Sequence, residues 1–154
     1  MPTHFGTHTD AYSHFLPDGL PMDRMPPAQY VGPAVVLDVR KRPNPARVTR
    51  RDLETAWPAG SRARRVLVNT GWGDRVKGSA YFKDFPGIEA GAARWLIRRN
   101  VTMLGMDLPS VHPKEYKAIH ELLFRGRVAV TEGLINLSRL PHGEVFFVGL
   151  PLPL

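Results

Sequence analysis

Cysteine is absent from the 154 residues. That excludes a disulfide framework and a thiolate metal site, so any metal must rest on histidine and carboxylate. No window approaches the ~20 apolar residues that a membrane helix needs, and no signal-peptide pattern opens the chain. The expectation is a cytoplasmic protein without a membrane partner. Internal repeats and low-complexity tracts are also missing. One domain is expected, burying roughly two-thirds of the surface of its unfolded chain. The net charge of +7 comes from dispersed groups: Arg40-Lys41-Arg42, Arg47 with Arg50-Arg51, and Arg62 with Arg64-Arg65. They lack the interleaved aromatics of a single-strand stacking platform. They read as a solvated face, with no nucleic-acid partner.

Fifteen prolines and fourteen glycines imply long ordered loops rather than a helical bundle. The first thirty residues read as loop, because Pro17, Gly19, Pro21, Pro26 and Pro27 break any long helix. Strands are expected at Pro33–Val39, a short apolar run rich in β-branched residues, and at Arg65–Thr70, Val101–Met106, Val128–Thr131 and Val145–Leu150. Thr49 reads as the N-cap of a short helix carrying Leu53 and Trp57 and stopped by Pro58. Ile88, Ala92, Trp95 and Leu96 repeat at helical spacing within 88–100. Tyr116, Ile119, Leu122 and Leu123 do so within 114–124, with Gly126 as the expected C′ stop. Strands alternating with helices predict an α/β domain whose mixed central sheet is flanked by helices.

Three of the six histidines fall in one short string, His4-Phe5-Gly6-Thr7-His8-Thr9-Asp10-Ala11-Tyr12-Ser13-His14-Phe15. Imidazole and carboxylate suit a divalent ion such as Zn²⁺ or Mn²⁺. Pro2, Gly6 and the β-branched Thr7 and Thr9 oppose a helix here. In an extended segment His8 and Asp10 share a face about 6.6 Å apart and reach one ion, while His4 lies about 13 Å from His8. The chain must therefore bend between them, with Gly6 as the obvious place. His14 lies about as far on the other side, which suits proton transfer better than ligation. Loop histidines are more often merely solvated, so spacing alone leaves both readings open.

The string resembles the His-x-Gly-Thr-His-x-Asp-x-x-x-His-Phe motif of the metal-dependent cyclase-like hydrolases, which include bacterial kynurenine formamidases and isatin hydrolases. His4, Gly6, Thr7, His8, Asp10, Ala11, His14 and Phe15 fall in place. Later stretches are also similar: Phe15-Leu16-Pro17-Asp18-Gly19, residues 31–38, Thr70-Gly71-Trp72, and Gly105-Met106-Asp107 with Ser110. His120 and Glu132, followed by Leu134 and Asn136-Leu137, take the places of the family's C-terminal metal pair. By themselves that helix histidine and post-strand glutamate would pass for solvated residues. The chain departs from the pattern at Tyr12, where the family usually has proline. The resemblance further implies that the family's strands before the motif and its tail after Pro151 are absent or curtailed here.

The resemblance implies a single cyclase-like domain over 1–154 of the swivelling β/β/α type, shortened at both ends. It implies metal ligation by His4, His8, Asp10, His120 and Glu132, with one or two zinc or manganese ions and Asp10 as the bridge. His14 is assigned to proton transfer. The implied reaction is hydrolysis of a small non-peptide amide, such as the aryl formamide N-formylkynurenine. An isatin-type cyclic amide, a lactone, or an inactive metal-binding relative are the alternatives. Trp72, Tyr12, Phe15 and Phe82 are candidate aromatic walls, though ordinary core or surface packing is the commoner reason for such residues. A homodimer or homotetramer is implied as well.

Overall fold

A computed structural model describes residues 4–42, 45–141 and 143–151. Its centre is a six-stranded mixed sheet built from β1 (His8–Asp10), β2 (Val31–Asp38), β4 (Arg65–Asn69), β6 (Met103–Met106), β7 (Ala129–Glu132) and β8 (Gly143–Val148). The order across the sheet is β1-β7-β6-β4-β2-β8. The four inner strands run parallel, and the short β1 and the longer β8 close the edges antiparallel. Parallel strands buried on both faces read as continuous apolar runs. Accordingly Val35, Leu37, Val66, Val68, Met103, Leu104, Ala129 and Val130 are fully buried. Edge strand β8 instead alternates, turning Val145 and Phe147 inward and leaving Phe146 and Val148 exposed.

Helices α1 (Arg50–Ala56), α2 (Ala90–Arg98) and α3 (Tyr116–Arg125) make the crossovers, with α2 packed against both others. Thr49 caps α1 as expected, and the box is reciprocal: its hydroxyl accepts from the Asp52 amide while the Asp52 carboxylate accepts from the Thr49 amide. Three differences from the expected elements have physical causes. Ile88 lies in β5 (Gly87–Ile88), which pairs in parallel with β3 (Arg47–Val48) as a separate two-stranded sheet. Two-residue strands 40 positions apart leave no periodicity, so the helix starts two residues later than its apolar spacing predicts. Gly126 is not the left-handed residue after α3; Arg127 takes that conformation at φ +57°. Gly126 is needed for space, because a Cβ there would sit 2.5 Å from the Ile97 side chain of α2. Finally, the opening loop is ordered by β1 and by 3₁₀ turns at Tyr12–His14, Met22–Arg24 and Pro27–Gln29.

Many of the basic residues have local partners. Arg40 grips Asp38, Arg47 meets Glu89 and Arg50 meets Glu54. Arg75 lies over Trp72 and Arg99 over Trp57.

Candidate metal centre

Pairing of β1 with β7 sets the site. Its register places His8 opposite Glu132 and Asp10 opposite Val130. The pair is fastened by a Thr9–Thr131 hydroxyl contact of 2.9 Å and by the Thr7 hydroxyl, which donates to the Gly133 carbonyl. Gly6 is left-handed at φ +68° and turns the chain back, so His4 returns to Asp10 instead of running on. Gly133 is also left-handed, and a Cβ there would lie 2.8 Å from the Gly6 carbonyl oxygen. Two glycines therefore let the segments pass at backbone distance.

The side chains then converge. Asp10 Oδ1 lies 3.0 Å from His4 Nδ1 and 3.5 Å from His8 Nε2, while its Oδ2 lies 3.3 Å from His120 Nε2. Glu132 Oε2 lies 3.5 Å from His8 Nε2, and its Oε1 lies 3.1 Å from His120 Nε2. Two overlapping groups result, His4–His8–Asp10 and Asp10–His120–Glu132, each with its donor atoms within 4.8 Å of one another. Asp10 belongs to both. Asp10, His120 and Glu132 are buried, whereas His4 is 43% exposed and gives the centre an open side.

The wiring of the two inner imidazoles defines what the centre can hold. His8 Nδ1–H donates to the Gly6 carbonyl at 3.0 Å, and His120 Nδ1–H donates to the Tyr116 carbonyl at 2.9 Å. A carbonyl only accepts, so each ring turns its Nε2 lone pair toward carboxylate oxygens. Acceptor then faces acceptor unless a cation or a proton lies between. His8 Nε2 and Asp10 Oδ1 are buried without a hydrogen bond, an arrangement that ordinarily carries a cost. The donor set fits a divalent ion, in the tautomer that ligating histidines adopt.

Without a cation a proton fills the gap at His120. Burial pulls its pKa down, but hydrogen bonds to Asp10 and Glu132 and their charges outweigh that and lift it to about 9. Burial pushes Asp10 up, yet the His120 hydrogen bond and the charges of His120, His8 and His4 hold it below the usual value.

The 3₁₀ turn at Tyr12–His14 folds His14 back over the centre, closer than an extended chain would allow. Its ring lies 4.3 Å from that of His4 and 6.3 Å from that of His120. Burial is the main cause depressing its pKa, assisted by His4 and His120 against Asp10 and Glu132. A neutral ring at pH 7 is available to accept a proton. All six residues singled out from the sequence are thus brought together.

The aromatic candidates divide. Phe15 stacks on His120 at 4.5 Å and 20°. Tyr12 is core: it packs on Phe124, and its hydroxyl contacts the Gln29 amide. Trp72 donates its indole N–H to the Tyr81 carbonyl, and Phe82 is exposed. Sequence reasoning missed the Val111 amide, which donates to Glu132 Oε1 at 3.1 Å, and the carbonyls of Gly6 and Tyr116. Main-chain groups leave no side-chain signature to read.

An open site of histidines and acids, on a parallel sheet closed by an antiparallel N-terminal strand, defines the class: the chain belongs to the cyclase family, described as "Putative cyclase", whose model matches residues 1–113. Among relatives, it is 34% identical to the kynurenine formamidase of Erythrobacter litoralis, over 99% of this chain and 67% of that enzyme. It is 35% identical to the kynurenine formamidase of Geobacillus thermodenitrificans, over 100% of this chain and 71% of that one. Among solved structures, a "potential metal-dependent hydrolase with cyclase activity" is 28% identical with a TM-score of 0.84, covering 100% of this chain and 73% of that chain. Isatin hydrolase A from Labrenzia aggregata is 26% identical with a TM-score of 0.84, covering 100% and 69%.

Proposed function

We propose that the chain is a metal-dependent hydrolase of non-peptide carbon–nitrogen bonds, acting on a small aryl formamide, with N-formylkynurenine as the first substrate to test. The observation that carries this reading is the pair of Nε2 lone pairs, on His8 and His120, aimed at the carboxylates of Asp10 and Glu132. His4, His8, Asp10, His120 and Glu132 are assigned as ligands of zinc or manganese. The overlap of two donor groups on Asp10 favours two ions over one. A divalent ion held by these residues would supply Lewis acidity and lower the pKa of a water molecule toward neutrality. His14, neutral and beside His4, would accept a proton from the attacking water on its imidazole and pass it to the leaving nitrogen. Phe15 holds the His120 ring from behind.

The chain's likeness to kynurenine formamidases supports a formamide, and its likeness to isatin hydrolase A supports the ring-opening of isatin as the second substrate to test. The reading further takes residues 1–154 as one domain of a homodimer or homotetramer working in the cytoplasm. Among the described residues no helix is long and apolar enough to cross a membrane. The deciding experiment joins elemental analysis of the purified chain to turnover of N-formylkynurenine and isatin. Metal with formamide hydrolysis supports the reading. Metal with turnover of isatin alone selects the second substrate, and metal without any turnover identifies an inactive relative. A metal-free chain that regains nothing on adding Zn²⁺ or Mn²⁺ overturns it.

A further inference from the structure

We propose that His112 is a positioning residue for the metal centre: its ring fixes the start of α3 and the adjoining Val111 amide, and through them His120 and Glu132. The inference rests on the reading of His120 and Glu132 as ligands. His112 Nδ1 accepts two main-chain hydrogen bonds, from the Lys114 amide at 3.1 Å and the Glu115 amide at 2.8 Å. That is the pattern by which an Asn or Asp N-cap holds the second and third amides of a helix. The N-terminal residue of α3 itself, Glu115, makes no side-chain cap. The turn at 113–115 leads directly into the helix, and His112 holds two of its amides.

The neighbouring residue, Val111, is held at both of its main-chain groups. The Val111 carbonyl accepts from the Ile88 amide at 2.8 Å, and the Val111 N–H donates to Glu132 Oε1. One residue after Val111, the His112 ring lies against Gly87 of β5, where an added Cβ would fall 2.1 Å from its Cδ2. The small β3–β5 sheet is thus the anvil for this loop. Gly87 leaves room for the ring, the ring sets the turn, and the turn aims the only amide that restrains Glu132 among the described residues. Eight positions on, α3 delivers His120 to the same carboxylate.

The test uses the whole chain with Zn²⁺ as the titrant, comparing the native protein with His112→Ala, His112→Asn and Gly87→Ala. Removing an outer partner of a metal ligand typically weakens metal binding by roughly 10–100-fold, and His112→Ala is expected at the lower end. His112→Asn keeps a cap acceptor and should recover most of the native affinity. Gly87→Ala, which displaces the ring while leaving it intact, should resemble His112→Ala. Amide hydrogen exchange on the metal-free proteins gives a readout independent of metal. Val111, Lys114 and Glu115 should exchange faster in His112→Ala, and native-like in His112→Asn. Native affinity and native exchange at Val111 in His112→Ala would overturn the assignment. A chain that takes up no Zn²⁺ in any form sinks the metal reading instead, while the exchange data still judge His112.

Discussion

Asp10 is the residue on which the site turns, since one oxygen faces His4 and His8 and the other faces His120. Asp10→Ala should remove metal and hydrolysis together, as elemental analysis and a turnover assay would register. His14 is placed differently, against the His4 ring and among no donor group. His14→Ala is therefore expected to keep its metal while kcat falls by roughly 10²–10⁴-fold, the usual share of general acid–base catalysis. Equal loss of metal would cancel the division of roles. His120 supplies a pH prediction. Its folded-state pKa of about 9 lies above the ordinary 6.5, so its stabilisation is complete below pH 6.5 and disappears as pH rises through 9. In chelator the melting temperature should fall over that window, by the equivalent of at most about 3 kcal/mol. With metal replacing the proton the fall should vanish. Thermal melts at pH 6 and 9, with and without Zn²⁺, decide it.

At the scale of elements, the site depends on how closely two chain segments pass. β1 has only three residues, and its position against β7 needs Gly6 and Gly133 in left-handed conformations. Gly133→Ala combines an unfavourable φ with a Cβ 2.8 Å from the Gly6 oxygen. A loss of about 1–3 kcal/mol is expected, accompanied by weaker metal binding because Glu132 is adjacent. Thr49→Ala offers the contrast. It removes the capping box of α1, distant in sequence from every proposed ligand, and should cost about 1 kcal/mol in a denaturant titration without changing metal affinity. The same contrast explains what could be read beforehand. Thr49, the α2 and α3 stripes and the apolar strands carry local signals, and the structure moved their ends by only a few residues. The bend at Gly6 was legible from its residue type. The β3–β5 pair, the left-handed Arg127 and the restraint of Glu132 by the Val111 amide were not, because each is decided by a contact distant in sequence. His120 and Glu132 were found through resemblance; composition and spacing gave them no distinction.

Across the whole molecule, the centre joins the two ends of the described chain. His4, His8 and Asp10 come from the first ten residues, and His120 and Glu132 from the last thirty-five, across a short edge strand. A ligand that binds only the folded arrangement stabilises all of it by mass action, about 2.7 kcal/mol at a free concentration a hundred times its Kd. For a chain of this size that corresponds to roughly 5–11 °C in melting temperature. Zn²⁺ or Mn²⁺ should therefore raise the melting point of the native chain by that order. Asp10→Ala, lacking the carboxylate common to both groups, should gain almost nothing. Hydrogen exchange should locate the effect, with protection rising in His8–Asp10 and Ala129–Glu132 before the distant β2–β8 pair responds. A metal-induced rise that persists undiminished in Asp10→Ala would mean that the ion binds elsewhere, and the cage of imidazoles and carboxylates would then need another explanation.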